Sequence, residues 1–171
     1  VERNSVRQLS SAEPSAPEKG MTPAPEESSE FQPEAVWLDQ GRLIGLVTWG
    51  SSTCVPFASE STASGQDVTV DLSDTLEGQE PRACTADMAP RVTVVGTPAG
   101  VNPHEDATVT VNYNEQELAL DIPGEAVLEG TPGDPTDYLP SAAWMNDESG
   151  IVLLTWGSST CVPVAESIEK S

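Results

Sequence analysis

The apolar residues of this chain occur in short runs, and the first two runs predict a β-hairpin. Residues 36–38 (Val-Trp-Leu) and 43–49 (Leu-Ile-Gly-Leu-Val-Thr-Trp) flank the short polar segment Asp39-Gln40-Gly41. Two apolar runs around a turn that contains glycine are typical of a hairpin. Because the second run is apolar on nearly both faces, we expect it to form a central strand of a sheet.

The same pattern occurs a second time in the chain. The nine residues Thr48 to Pro56 reappear without change as Thr155 to Pro163, a shift of 107 residues, and Trp37 aligns with Trp144 at the same shift. Nine consecutive identities with an upstream residue in register indicate an internal duplication. The sequence therefore predicts one complete β-unit followed by the opening hairpin of a second, truncated repeat.

Four further segments with apolar residues at alternate positions complete the first unit. They span residues 67–72, 91–95, 107–113 and 116–120, and the last two flank a tight turn near Asn114-Glu115. With the hairpin they amount to roughly six strands, which favours an all-β fold, a small antiparallel sandwich or barrel. The polar stretch from Ser59 to Gln66 is predicted to lie outside the strands, with room for one helical turn over residues 61–65.

Composition divides the chain into four segments. Residues 1–34 are rich in Ser, Pro and Glu and contain almost no large apolar side chains. Such a segment cannot bury enough surface to offset chain entropy, so we predict a disordered linker. We then expect a complete β-domain at 35–124, a Pro- and Gly-containing linker at 125–141, and the second hairpin at 142–171. An apolar hairpin must find cover, and we expect it to lie against an open edge of the first sheet or to cause self-association.

The charge of the chain restricts its partners. Twenty-eight acidic and seven basic residues leave a formal net charge of -21, and no Lys or Arg lies between Val92 and Glu169. A surface of this kind repels phosphate backbones, so we predict no nucleic-acid partner. No apolar stretch reaches about 18 residues, and we predict no membrane-spanning segment. Neither a CxxC pair nor an EF-hand loop is present, and we predict no metal and no cofactor.

Three cysteines allow one disulfide bond in this chain. Cys54 and Cys161 occupy the same position of the repeat, so Cys84 is the only candidate partner for either of them. One bridge per unit indicates an oxidising compartment outside the cytoplasm. From the repeat alone, a Cys84–Cys161 bridge, within one chain or between two swapped chains, is the alternative to a Cys54–Cys84 bridge.

Candidates for catalysis are few. Ser51 and Ser52 lie in a serine-rich turn, but nucleophilic serine chemistry requires a histidine within hydrogen-bond reach. The one histidine, His104, lies in a polar turn far away in the sequence, and no Gly-x-Ser-x-Gly elbow is present. We expect the serine-rich turn to satisfy backbone groups before a disulfide, and a serine hydrolase ranks third among the possible functions.

Two motifs carry a resemblance to a known group of proteins. The chain resembles an uncharacterised family of exported proteins and lipoproteins of high-GC Gram-positive bacteria, in which the Trp-Gly-Ser-Ser-Thr-Cys motif (49–54) and the Cys-Thr-Ala-Asp motif (84–87) recur in tandem after a low-complexity segment. The resemblance implies export and a Cys54–Cys84 bridge, and it assigns no activity. The second copy departs from the family pattern because it lacks a Cys-Thr-Ala-Asp counterpart. We therefore predict a Cys54–Cys84 bridge and an unpaired thiol at Cys161.

These observations favour an exported, non-catalytic display or binding module of the cell envelope, with a protein or another envelope ligand as its partner. The alternative is an inhibitor of secreted proteases, in which the loop from Cys84 to Arg91 enters a protease cleft. A rigid loop of this kind would lower the entropic cost of binding. The candidate interaction residues are Met88, Arg91, Trp37 and Trp144. Self-association through the second hairpin is a further expectation.

Overall fold

In a computed structural model, the described residues (32–76, 78–146, 148–167 and 169) form nine β-strands. Residues 1–31 of the predicted disordered linker lie outside the described residues. The strands are β1 (Glu34–Leu38), β2 (Leu43–Gly50), β3 (Phe57–Ser64), β4 (Asp67–Ser73), β5 (Ala89–Gly96), β6 (Ala107–Tyr113), β7 (Gln116–Ile122), β8 (Ser141–Trp144) and β9 (Ile151–Leu154). The prediction of an all-β fold is confirmed.

The first sheet is built around the predicted hairpin. Its order is β1-β2-β5, and both pairs of neighbours are antiparallel. The strand β2 is central, as its apolar character on both faces predicted. The connection is the single 3-10 turn Asp39–Gly41. Gly41 has φ +88, and a Cβ there would lie 2.8 Å from the Pro103 side chain, so both the backbone and the space favour glycine.

The second sheet has the order β3-β4-β6-β7 and contains one parallel pair, β4 with β6. The parallel pair makes this sheet mixed rather than purely antiparallel. It arises because the chain leaves β4, forms β5 in the other sheet and then returns to form β6. The two sheets are not closed into a barrel. The predicted turn between β6 and β7 is confirmed, with φ 50 at Asn114 and φ 62 at Glu115, as a two-residue hairpin turn of type I′ requires.

The strand β3 was not predicted from the sequence. Residues 59–66 were predicted as a polar stretch with room for a helical turn, yet β3 spans Phe57–Ser64 and pairs with β4, with a bulge between Ala58 and Glu60. The strand is an edge, and most of its side chains are exposed. It therefore lacks the apolar alternation that marks a half-buried strand, and pairing with β4 determines its conformation. The first unit thus has seven strands.

The core lies between the two sheets of the first unit. The first sheet contributes Trp37, Ile44 and Leu46, which are at most 3% exposed. The second sheet contributes apolar side chains from β4, β6 and β7: Val68, Val70, Leu72, Val109, Val111, Leu120 and Ile122. The ring nitrogen of Trp37 donates a hydrogen bond to the carbonyl oxygen of Pro123 at 2.8 Å. This bond joins β1 to the chain immediately after β7.

The segment between β7 and β8 is held against the first unit by backbone hydrogen bonds. The amide of Gly130 donates to the carbonyl of Gln40 at 2.8 Å, and the amide of Gly133 donates to the carbonyl of Thr97 at 3.0 Å. Leu128 packs against the core. These contacts guide the chain along the first unit to the start of the second hairpin.

The second hairpin, β8 with β9, covers a face of the first sheet, whereas contact with an open edge, or self-association, was expected. Val152 is 4% exposed and belongs to a second cluster with Val36, Leu38 and Val47, which lie on the side of the first sheet opposite the main core. The described strands β8 and β9 pair only with each other. The reason is that the outer side of the first sheet is itself apolar, so covering it buries more apolar area than extending an edge. The chain therefore has three layers, with the first sheet in the middle.

A matched pair of substitutions tests this layered arrangement. Leu46 and Leu153 occupy equivalent positions of the repeat, but Leu46 is fully buried and Leu153 is 60% exposed. We expect Leu46→Ala to lower the free energy of unfolding by about 2–5 kcal/mol. Leu153→Ala should change it by no more than about 0.5 kcal/mol. Urea denaturation measures the free energy of unfolding of both variants. Equal losses would show that the two leucines do not differ in burial.

Candidate functional site

The side of the second hairpin that points away from the first sheet is apolar. Its cross-strand pairs are Ala142 with Leu153 and Trp144 with Ile151, and these four residues are called the hairpin face. They alternate with the pair of Ala143 and Val152, which packs inward. On the hairpin face, Trp144 is 53% exposed, Ile151 39% and Leu153 60%.

Each residue of the hairpin face has a counterpart in the first copy of the repeat. At the shift of 107 residues, the counterparts are Ala35, Trp37, Ile44 and Leu46. All four belong to the main core and are at most 3% exposed. The hairpin face is therefore the second copy of a surface that, in the first copy, lies beneath a four-stranded sheet.

Aromatic residues lie at the outer end of the same hairpin. The rings of Tyr138 and Trp156 meet edge to face, with centroids 4.9 Å apart. The ring nitrogen of Trp156 donates to the carbonyl oxygen of Leu139 at 3.1 Å. The ring of Tyr138 is 66% exposed and the side chain of Leu139 62%. Aromatic surface that remains exposed beside an apolar face is characteristic of interaction sites.

The disulfide bond predicted between Cys54 and Cys84 is confirmed. The two Cα atoms are 5.6 Å apart, and the bond joins residues 30 positions apart in the sequence. Cys54 is buried, whereas residues 82–88 around Cys84 are all exposed. These seven residues are called the anchored loop. Cys161 is a free and exposed thiol, as predicted.

Hydroxyl groups reinforce the attachment of the anchored loop. The amide of Thr85 donates to the hydroxyl of Thr53 at 3.1 Å, and the hydroxyls of Ser51 and Thr85 are 2.9 Å apart. The amide of Ser52 donates to the carboxylate of Asp87 at 3.2 Å, and the hydroxyl of Thr85 donates to the same carboxylate. These contacts and the disulfide position the exposed side chain of Met88, which follows Asp87.

The geometry of Ser51 and Ser52 agrees with a role in holding this loop. The hydroxyl of Ser51 contacts Thr53 and Thr85. The His104 ring contacts the carbonyl oxygen of Leu128 at 2.6 Å. The serine turn and the histidine therefore have separate partners, and the structure does not bring them together as a nucleophile and its base.

Two of the four candidate interaction residues are buried. Trp37 lies in the core, and Arg91 is only 7% exposed. The guanidinium of Arg91 donates to the carbonyl oxygens of Cys54 at 2.8 Å and Trp49 at 3.3 Å. Arg91 is thus a structural residue and cannot enter a protease cleft. Met88, at 62% exposed, and Trp144 do remain accessible.

Two residues of the apolar surface were not identified from the sequence. Ile151 and Leu153 were assigned to a strand but not to a site, although their alignment with Ile44 and Leu46 could have identified them. In β5, which was predicted only as a strand, Val92 and Val94 are each 38% exposed. Arg91 and Thr93 point inward instead, where each donates to a backbone carbonyl.

The carboxylate of Asp87 offers a direct test of the loop contacts. The hydroxyl of Thr85, followed by Ser52, lowers the pKa of Asp87 from 3.8 to about 2. Because the folded-state pKa is depressed, the stabilisation by this carboxylate is complete above about pH 4 and is lost as the pH falls towards 2. In Thr85→Val we expect the pKa of Asp87 to rise towards 3.8, whereas Thr160→Val in the second copy should leave it unchanged. Carboxyl-detected NMR titration measures both values, and a pKa near 3.8 in the unsubstituted protein would contradict the contact.

Within the described ranges, no helix is long and apolar enough to cross a membrane. Nor do three or more His, Cys, Asp or Glu side chains form a possible metal site among the described residues. Comparison of the chain with known proteins gives no match to a family model, to a curated protein or to a solved structure. The resemblance to exported proteins of high-GC Gram-positive bacteria therefore stays a prediction.

Proposed function

We propose that the protein is an exported, non-catalytic module of the cell envelope that binds another protein through the hairpin face. The observation that carries the proposal is the exposure of Trp144, Ile151 and Leu153 at positions that the first copy buries in its core. An apolar cluster on a strongly acidic protein marks a contact surface, because the surrounding charge keeps the protein soluble while the cluster remains available.

Export is supported by the cysteines. A disulfide between an exposed loop and a buried cysteine persists in an oxidising compartment and is reduced in the cytoplasm. The anchored loop depends on this bond, because none of its residues is buried. The same compartment is the one implied by the family resemblance.

Surface labelling of intact cells tests the proposed location. Cells that produce the full-length protein are treated with a membrane-impermeant biotin maleimide, and we expect labelling of the exposed thiol of Cys161. Cys161→Ser removes that label. A Val127→Cys substitution in the Cys161→Ser background restores it at a residue that is 78% exposed and lies outside the hairpin face. Labelling of both thiols only after cell lysis would overturn export.

Inhibition of a secreted protease is the second candidate function, and the anchored loop supports it. The disulfide at Cys84 and the contacts of Thr85 and Asp87 fix one side of the loop, and the side chain of Met88 projects into solvent beside them. A loop that is ordered before binding pays less conformational entropy in a protease cleft. In this arrangement Met88 makes the contact, and Arg91 supports the loop from within.

An inhibition assay tests this second candidate. With chymotrypsin and subtilisin as probes, Met88→Asp should weaken inhibition at least about 10-fold, because a carboxylate is poorly accommodated in an apolar specificity pocket. Val127→Asp, at an exposed apolar residue outside the loop, is the matched control and should have no effect. Failure of the unsubstituted protein to inhibit either protease at micromolar concentration would argue against this role for Met88.

A further inference from the structure

We propose that the partner of the hairpin face is a four-stranded sheet built like β3-β4-β6-β7, supplied by a second copy of this chain whose own first hairpin has been released. The inference rests on the binding role proposed above and names its partner. In the bound state, the second hairpin occupies the place of the first hairpin, and Cys161 takes the place of Cys54.

The chain itself shows which surface fits the hairpin face. In the first copy, Ile44 and Leu46 pack in one cluster with Val68, Val70 and Val109 of the second sheet. Ile151 and Leu153 have the same side chains at the equivalent positions, and Trp144 repeats Trp37. A sheet shaped to receive the first hairpin is therefore shaped to receive the second. This identity of apolar side chains selects a β-unit of the same kind over an unrelated apolar partner.

The turn after β9 gives a second, independent reason. In the first copy, the amide of Cys54 donates to the carbonyl of Ser51 at 3.3 Å, and the hydroxyls of Ser51 and Thr53 are 3.1 Å apart. In the second copy, the amide of Cys161 donates to the carbonyl of Ser158 at 3.2 Å, with the hydroxyls of Ser158 and Thr160 2.9 Å apart. The second turn is thus already folded in the form that binds a Cys-Thr-x-Asp loop.

The inner contacts of the second hairpin leave its outer face available for docking. Val152 is buried against the first sheet, and the hydroxyl of Ser141 accepts a hydrogen bond from the amide of Asp39 at 2.7 Å. The amide of Asn146 donates to the carboxylate of Glu34 at 2.6 Å. These contacts hold the hairpin with its apolar face outward. A bound sheet would form a fourth layer on the molecule.

The change of disulfide partner needs no external oxidant. The thiolate of Cys161 in one chain attacks the sulfur of Cys84 in the other chain. This forms a Cys84–Cys161 bond between the chains and breaks the Cys54–Cys84 bond of the attacked chain. Cys54 leaves as a thiolate that takes up the proton released by Cys161, so one disulfide and one thiol are present before and after the step. Cys84 lies in the exposed anchored loop, and Cys161 is exposed as well, so both residues of the new bond lie at the surface.

Between two unsubstituted chains, exchange of hairpins adds no net buried area. The second hairpin of one chain replaces the first hairpin of the other, and the two have the same apolar pattern. A chain without the Cys54–Cys84 bond, in which the anchored loop no longer ties the first hairpin in place, is therefore the informative partner. The acceptor carries Cys54→Ser and Cys161→Ser, which leaves Cys84 as its only thiol, and the donor is the unsubstituted chain with its free Cys161. The two are mixed in a glutathione redox buffer, in which oxidised glutathione first forms a mixed disulfide with one thiol and the other thiol then displaces reduced glutathione. Mass spectrometry of non-reduced peptides measures the link between chains.

We expect at least about 10-fold more link between donor Cys161 and acceptor Cys84 than in the same mixture unfolded in urea. Leu153→Asp in the donor should reduce the link to the unfolded baseline, because a carboxylate on the hairpin face cannot enter an apolar core. Val127→Asp in the donor is the matched control and should leave it unchanged. A link at baseline, or one that is insensitive to Leu153→Asp, would overturn the proposal.

A second measurement covers the case in which the acceptor does not fold. The unsubstituted protein alone, with catalytic glutathione, should slowly form a Cys84–Cys161 link between chains, at a rate that rises with protein concentration. Exchange confined to glutathione adducts or to Cys161–Cys161 links would contradict the proposal. Because this measurement is made on purified protein, its failure leaves the surface-labelling result intact, and a failure of surface labelling leaves the exchange result intact.

Discussion

The burial of the first hairpin on both of its faces is the constraint on which the rest of the structure depends. Trp37, Ile44 and Leu46 point into the main core, while Val36, Leu38 and Val47 point to the opposite side. A sheet that is apolar on both sides must be a middle layer, because either exposed side would leave a large apolar area in water. The four-stranded sheet covers one side and the second hairpin covers much of the other.

The anchored loop is held in place by bonds rather than by burial of apolar side chains. Residues 82–88 are all exposed and contribute no side chain to either cluster, so apolar burial cannot hold them. Their position depends on the Cys54–Cys84 bond and on hydroxyl and carboxylate contacts with the turn at 51–53. Because polar contacts in water contribute little individually, the covalent bond is the main restraint on this part of the molecule.

The duplication places one sequence in two environments, and this contrast is the basis of the functional conclusion. The same Trp-Gly-Ser-Ser-Thr-Cys turn is cross-linked to a loop in the first copy and carries an exposed free thiol in the second. One face of the preceding strands lies in the main core in the first copy and is exposed in the second. Residues selected for burial are poor surface residues, and their exposure on the second hairpin is the observation from which the contact with another β-structure is proposed.

The features that the sequence alone determined were either local elements of structure or consequences of the repeat. Alternation of apolar residues predicted most of the strands, the Asn114-Glu115 turn joined β6 to β7, and the repeat together with the family resemblance selected Cys54 as the partner of Cys84. Tertiary structure decided which side of each strand was buried and which elements met. Arg91 turned inward because two backbone carbonyls receive its guanidinium, and β3 formed because β4 offered a free edge. The carbonyl partners of Arg91 are distant in sequence, and β3 depends on its pairing with β4 rather than on an apolar pattern of its own. A periodic pattern along the chain therefore carries no information about either feature.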